Sequence, residues 1–200
     1  MFKQFSWGLL MLAGVLAVAA GGASAQVTKC TGTLPPGDYN QLIVPAGAKC
    51  TISRGDVTVE NNVTVGRRAS LRVLAPAKFT DFGSLTAAGA DAIDIVPEPK
   101  GAASIFGDIS ATGITVSVRI EETSVDGNVS VANSRGEFVE LSRDNVAGNV
   151  VVRNNKTGQN LITGNAIGGN LVCSDNTPAP VDQGKPNTVG GNKVGQCTRL

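Results

Sequence analysis

The chain has 200 residues, a formal net charge of +1 and only 16% charged residues, where about 25% is usual for a soluble domain. This length fits one domain, and the near-neutral charge argues against a nucleic-acid binder, which needs a basic face. The 25 glycines and the low aromatic content of 4% predict an all-β class with many short strands joined by tight turns.

The first 25 residues have the three parts of a secretory signal peptide. Lys3 provides a positive charge, residues 8–20 are apolar, and Ala23-Ser24-Ala25 forms an A-x-A cleavage site. The apolar run is shorter than the roughly 20 residues of a comfortable membrane span, so an uncleaved anchor is the less favoured alternative. We predict a signal peptide over 1–25 and a single mature domain over 26–200. That domain has no membrane span and is secreted to the periplasm or the extracellular space.

The four cysteines all follow the predicted signal, one pair near each end of the mature chain. An even number in an exported chain predicts disulfides, and of the three pairings we favour Cys30–Cys50 and Cys173–Cys197. A zinc site is the alternative, but the chain has no histidine and no C-x-x-C motif. We therefore expect neither a metal site nor a cofactor.

A phrase of the form V-x-G-N-V-x-V recurs at 125–131, 146–152 and 167–173, with worn copies at 105–111 and 189–194. A near-constant period of about 21 residues indicates stacked units, because each unit buries its apolar face against the next. The period is set by the repeated glycines: Gly107, Gly127, Gly148, Gly169 and Gly191. We predict a β-solenoid, a right-handed parallel β-helix of six to eight coils. A β-sandwich or a barrel would give no reason for the same phrase to return in phase.

The alternation within the phrase places its apolar residues inside the coil and its turn residues at a corner. Glycine is expected there for a left-handed or bulged backbone. Stacked coils would align the asparagines as a hydrogen-bonded ladder of Asn128, Asn149, Asn170 and Asn192. They would also align an apolar ladder of Val129, Val150 and Leu171. Upstream, 55–59 and 83–87 look like related phrases, and their spacing of 28 predicts an insertion. The segments 60–82 and 86–105 would then be the long segments that could build a cleft.

These phrases, together with the opening LIVPAGAKC at 42–50 and the closing segments at 169–178 and 187–197, resemble a loosely defined group of secreted bacterial proteins. The resemblance covers most of 40–197 and implies a right-handed parallel β-helix. It implies no activity, because the group is mostly uncharacterised. The coils also look like those of bactofilins, which polymerise. Bactofilins lack a signal peptide and disulfides, so filament formation is not carried over to this chain.

Without histidine, acid–base chemistry would fall mainly to the carboxylates between Asp81 and Asp144. Glycosidases use two carboxylates about 5–9 Å apart, and Glu121 and Asp126 are candidates to align with Glu140 or Asp144 on neighbouring coils. Asp81, Asp91 and Asp94 are a weak candidate calcium site. The simpler interpretation is that these carboxylates are solvated on the outside of the coils or form ion pairs with Arg119, Arg143 and Arg153. We therefore expect no catalytic residue.

Three functions follow from this sequence. The favoured one is an exported structural or adhesive rod that binds a glycan or an envelope or matrix component, without catalysis. The alternative is a polysaccharide-acting lyase or hydrolase, which is an analogy from fold alone. An ice-binding face would need Thr in one column, and the threonines considered, Thr115, Thr123, Thr157 and Thr163, do not align. The prolines of the C-terminal loop (Pro178, Pro180 and Pro186) resemble edge protection and favour a monomer.

Overall fold

The computed structural model describes residues 26–97 and 103–200; the predicted signal peptide over 1–25 lies outside the described residues. Within that part of the chain every regular element is a strand, and no helix is long and apolar enough to cross a membrane. The strands are, in chain order, β1 (Val27–Lys29), β2 (Gly37–Tyr39), β3 (Gln41–Val44), β4 (Lys49–Ile52), β5 (Asp56–Val59), β6 (Val63–Val65), β7 (Ser70–Leu74), β8 (Lys78–Asp81), β9 (Leu85–Ala88), β10 (Ala92–Val96), β11 (Ala103–Ile105), β12 (Ile109–Thr112), β13 (Ser117–Glu121), β14 (Thr123–Val125), β15 (Val129–Ala132), β16 (Phe138–Ser142), β17 (Asn145–Val146), β18 (Val150–Arg153), β19 (Gln159–Thr163), β20 (Ala166–Ile167), β21 (Leu171–Ser174), β22 (Thr188–Val189) and β23 (Lys193–Gly195).

The strands form three parallel sheets that the chain visits in turn. Sheet 1 has nine strands in the order β1-β3-β6-β9-β12-β15-β18-β21-β23, and sheet 2 has six in the order β4-β7-β10-β13-β16-β19. Sheet 3 has eight strands in the order β2-β5-β8-β11-β14-β17-β20-β22. Each passage through the three sheets is one coil of about 21 residues, and about seven coils stack. The predicted parallel β-solenoid, its coil number and its period are confirmed.

The interior of the solenoid is built from aligned apolar columns. Val129 is in register with Val150, and Val150 with Leu171, as the phrase predicted. All three are buried, because alternate side chains of a strand point to the same face. Burying a side chain of this size contributes about 1.5–3 kcal/mol, so each added coil extends a continuous core.

The repeated corner glycines are needed for a reason other than the predicted left-handed backbone. None of the five has a positive φ; glycines with that geometry include Gly89, Gly113 and Gly164. A Cβ on Gly148 would instead lie 2.5 Å from the carbonyl oxygen of Gly127 on the coil below. The coils approach so closely at this corner that only a hydrogen atom fits.

The asparagines after these glycines form a ladder at the corner between sheets 3 and 1. The backbone N–H and Nδ2 of Asn149 both donate to Asn128 Oδ1, at 2.9 and 3.0 Å. Asn170 repeats both bonds to Asn149 Oδ1, at 2.8 and 3.0 Å. The backbone N–H of Asn192 donates to Asn170 Oδ1 at 2.8 Å. Asp108 continues the column on the coil below Asn128. Its Oδ1 accepts hydrogen bonds from the backbone N–H and the Nδ2 of Asn128, at 2.6 and 3.0 Å.

A second amide column is buried at the corner between sheets 1 and 2. The N–H of Asn155 donates to Asn176 Oδ1 at 3.1 Å, and the N–H of Asn176 donates to Gln196 Oε1 at 2.9 Å. Asn154 and Asp175, one residue earlier, adopt positive φ, which polar residues of this kind tolerate. The side chains thus satisfy backbone donors that the sharp corner leaves unpaired.

A third column, at the corner between sheets 2 and 3, contains an aspartate among asparagines. The N–H of Asp144 donates to Asn165 Oδ1 at 2.8 Å, and the N–H of Asn165 donates to Asn187 Oδ1 at 3.0 Å. Asp144 Oδ1 accepts the Thr123 N–H at 3.0 Å. Asp144 therefore occupies an asparagine position of the repeat.

Both cysteine pairs favoured from the sequence lie at disulfide distance, one at each end of the solenoid. The Cα–Cα distances are 5.4 Å for Cys30–Cys50 and 5.2 Å for Cys173–Cys197. The separations of 20 and 24 residues are each about one coil. Leu34 at one end and Leu200 at the other pack against the core and cover its terminal coils.

Candidate functional site

The outer face of sheet 2 carries a groove with a volume of about 490 Å³. It crosses β4, β7, β10, β13 and β16, so it runs across successive coils along the solenoid axis. Its lining combines charged, hydroxyl, small and aromatic side chains: Lys49, Thr51, Ser70, Arg72, Ala92, Asp94, Val116, Ser117, Arg119, Glu137 and Phe138.

The groove exists because residues in register across sheet 2 differ in side-chain size. Lys49, Ser70, Ala92, Ser117 and Phe138 are in register on five successive strands. The three central residues are small, and Ala92 and Ser117 are buried. The long side chains at the two ends therefore bound a floor on which a ligand can approach the backbone closely.

Asp94 lies on the floor with its charge balanced. Its Oδ1 accepts a hydrogen bond from Ser117 Oγ at 2.9 Å, and its Oδ2 lies 3.2 Å from Arg72 Nε. Asp94 is 8% exposed, whereas the Arg72 side chain is 54% exposed. The buried acid is held by its neighbours, and the arginine extends from it towards solvent.

Arg119 is held by two carboxylates and an aromatic ring at the other end of the groove. Its Nε lies 3.2 Å from Glu140 Oε2 and 3.3 Å from Glu121 Oε1. Its guanidinium carbon lies 4.7 Å from the centroid of the Phe138 ring, a cation–π geometry. These contacts fix the ring beside the floor.

A second arginine continues the charge network beyond the groove. Arg143 Nη2 lies 3.2 Å from Glu121, and Arg143 Nε lies 2.7 Å from Glu122. The hydrogen bond to Glu122 is the largest of the effects that raise the pKa of Arg143. Burial, followed by the nearby charge of Glu140, raises the pKa of Glu121. Arg119 and Arg143 thus pair with acids across coils, which is the simpler of the two interpretations made from the sequence. Arg153 was also expected to pair, but in the described part of the chain no carboxylate lies within salt-bridge distance of it.

Lys49 differs from these cations. It is exposed at the far end of the column, and within 26–97 and 103–200 no carboxylate lies within salt-bridge distance of it. A lysine without such a partner keeps its three N–H donors for water or a ligand.

The acids between Asp81 and Asp144 lie in several different environments. Asp81 is fully buried in the core, and Asp144 is buried at a corner. Asp91 accepts the Thr115 hydroxyl at 2.8 Å, away from Asp81, so the two do not share a calcium site. In the described part of the chain, no group of three or more acidic or cysteine side chains could hold a metal ion.

Glu121 does come close to Glu140 of the next coil, as the sequence analysis expected, because both carboxylates contact Arg119 Nε, at 3.3 and 3.2 Å. No acid of the next coil is in register with Asp126, because Val125 before it pairs with Val146. Glu121 is in register with Ser142, and Glu140 with Arg119. Asp94 is in register with Arg119 as well, so a guanidinium group lies between the carboxylates of Asp94 and Glu140. A glycosidase pair would need these acids to face a sugar without that cation between them.

The insertion predicted between the two upstream phrases is not needed. The phrases at 55–59 and 83–87 belong to different sheets, β5 to sheet 3 and β9 to sheet 1, and Val63 pairs with Leu85, a normal coil of 22 residues. The segments 60–82 and 86–105 do contribute to the groove, but through strands β7 and β10 of sheet 2. Extending the repeat period from sheet 1 to sheet 2 would have aligned residues 49, 70, 92, 117 and 138, which form the column of the groove.

The chain matches no family model, and no curated protein or solved structure is significantly similar to it. The likeness to secreted proteins with G-N-V-x-V repeats therefore rests on the sequence phrases, and the structure supports its fold component, the parallel β-solenoid.

Proposed function

We propose that the protein is exported and acts outside the cytoplasm as a rigid rod that binds an extended glycan in the groove of sheet 2. Two disulfides are consistent with an oxidising compartment, and the A-x-A site after residues 8–20 supplies the export signal. The parallel solenoid is consistent with a structural or binding role. Cleavage after Ala25 would make Gln26 the first residue of the purified protein, which N-terminal sequencing checks.

The observation that carries the glycan proposal is the combination of Phe138 with the polar floor. An aromatic ring offers an apolar face to the C–H groups of a sugar, while hydroxyl and charged groups beside it bond the sugar hydroxyls. Phe138 is partly exposed and fixed by Arg119, and Ser117 and Arg72 lie along the adjacent floor. An open groove crossing several coils suits a chain rather than a compact ligand.

The protein should be expressed from the full-length chain in a secretory host and purified with its disulfides intact. Retention on immobilised polysaccharides and the release of new sugar ends should be measured in the same samples. We expect retention without release. Release of sugar ends would replace the binding role by an enzymatic one, and no retention on any glycan would overturn the proposal.

The Phe138→Leu variant locates the site. Loss of ring stacking of about 0.5–1.5 kcal/mol predicts a Kd up to about tenfold weaker. Phe82→Leu is the matched control, because Phe82 is 49% exposed and stacks on Phe106 outside sheet 2. Equal affinity of the two variants would place the glycan elsewhere on the rod.

A further inference from the structure

We propose that this groove selects an acidic oligosaccharide, one that carries carboxylates, and binds it in one direction, with an acid group at Lys49 and Arg72 and a sugar ring at Phe138. The inference rests on the proposed glycan-binding function and adds the ligand's charge and polarity. It follows from the unequal distribution of charge along the column.

At the Lys49 end of the groove, carboxylates of the protein do not fully balance the positive charge. Lys49 is exposed, with no carboxylate partner within salt-bridge distance in the described ranges. Arg72 contacts Asp94 through Nε alone, and a guanidinium group has five N–H donors. Two cations whose donors face solvent, one strand apart in the sheet, form a site for a carboxylate.

The Phe138 end has the opposite balance. Arg119 and Arg143 face Glu121, Glu122 and Glu140, and exposed Glu137 lines the groove beside them. Three carboxylates therefore contact the two guanidinium groups, and Glu137 adds a fourth negative charge at this end of the groove. An acid group of the ligand would be repelled here, so the ring at this end suits the uncharged face of a sugar.

The centre of the groove does not cancel this selectivity. Asp94 is the acid on the floor, and both of its oxygens are engaged, by Ser117 and by Arg72. A carboxylate held by a cation and a hydroxyl presents little free negative charge to a ligand. Ser117 and Ala92 beside it are small and uncharged, so a sugar chain can lie over them.

The distance between the ends sets the ligand's size. Lys49 and Phe138 are four strands apart in register, which at about 4.8 Å per strand is about 19 Å. A single sugar cannot reach both. The two contacts together need an oligosaccharide of several units lying along the solenoid axis.

The test compares ligands that differ only in charge. Oligomers of polygalacturonate, alginate and hyaluronan are each titrated beside their methyl esters, with wild type, Lys49→Gln and Lys78→Gln. Lys78 is an exposed lysine on β8 of sheet 3 and is the matched control. We expect at least one acid form to bind about tenfold more tightly than its ester. Lys49→Gln should remove this preference, and Lys78→Gln should keep it.

The outcomes separate this inference from the function on which it rests. If acid and ester bind equally, or Lys49→Gln leaves the preference unchanged, the acidic selectivity is wrong. Weaker binding of both forms by Phe138→Leu would then still support a glycan groove. If the protein binds none of these oligomers and no neutral glycan, both proposals are overturned.

Discussion

Replacing Asp81 by Asn should make the protein more stable than the wild type at neutral pH but not in acid. Asp81 is fully buried and lies in register between Val59 and Ile105 of the apolar interior. Its Oδ1 accepts the Gly83 N–H at 3.0 Å, and its Oδ2 has no hydrogen-bond partner. Burial therefore raises the pKa of Asp81 from 3.8 to about 6.

The raised pKa sets both the sign and the size of the effect. Between pH 3.8 and about 6 the folded protein holds a proton that the unfolded chain has lost, so its stability falls as the pH rises. A pKa shift of this size destabilises the folded wild type by about 3 kcal/mol above this pH window and does not affect its stability below the window. Asn keeps the acceptor for Gly83, but its amide has two hydrogens without a partner where the protonated acid has one. The variant should therefore be slightly less stable than the wild type in acid, and the difference between the two should shift in its favour as the pH rises.

The free energy of unfolding should be measured by denaturant titration at several pH values, with the disulfides intact. The free energy of unfolding of Asp81→Asn relative to the wild type should increase by about 3 kcal/mol between pH 3.5 and pH 7. Asp126→Asn is the control, because it removes the same charge from an exposed position. An advantage that stays constant with pH, or an equal one in the control, would refute the argument.

Two further predictions concern the corners. Asp144→Asn should raise the free energy of unfolding at neutral pH, because burial raises the pKa of Asp144 well above its usual value and Asn165 already occupies the next position of the column. A lower stability in the same denaturant titration would contradict this. Gly148→Ala should cost about 1–3 kcal/mol, because the coil below blocks the added methyl group. Gly32→Ala, which meets nothing within 4 Å, should cost less, and equal losses would refute the steric explanation.

The architecture could be predicted from the sequence because its signal repeats. The V-x-G-N-V-x-V phrase marks the same corner and the same strand of sheet 1 on successive coils, so its period gave both the stacking and the register of Val129, Val150 and Leu171. Identical residues at stacked positions make identical hydrogen bonds, so the same phrase suits each successive coil. Upstream, phrases from two different sheets looked alike, because any strand that follows a glycine corner has the same alternation.

The groove was not predicted, because it depends on what does not repeat. Its column runs from lysine through serine, alanine and serine to phenylalanine, and no phrase search finds a sequence of changing residues. The inward positions of the same strands, such as Leu71, Ile93 and Val118, are uniformly apolar. Core packing constrains the inner face, and the outer face is free to vary. Asp81 and Asp144 are exceptions of another kind, since solvated positions were the simpler expectation for these acids and both are buried.

The fold explains how a shallow, open surface can still bind with specificity. Strands β7, β10, β13 and β16, which carry most of the groove side chains, are paired with strands of the coils on both sides, so these side chains are positioned before a ligand arrives. Arg72, Arg119 and Phe138 are held further by ion-pair and ring contacts. Binding then avoids most of the cost of ordering loops and side chains, which commonly offsets weak polar contacts. The loop that pairs with β19 at Leu161 and the buried Leu34 and Leu200 close the ends of the rod. The sides of the solenoid therefore remain as its accessible binding surface, and sheet 2 is the side on which charge, shape and an aromatic ring coincide.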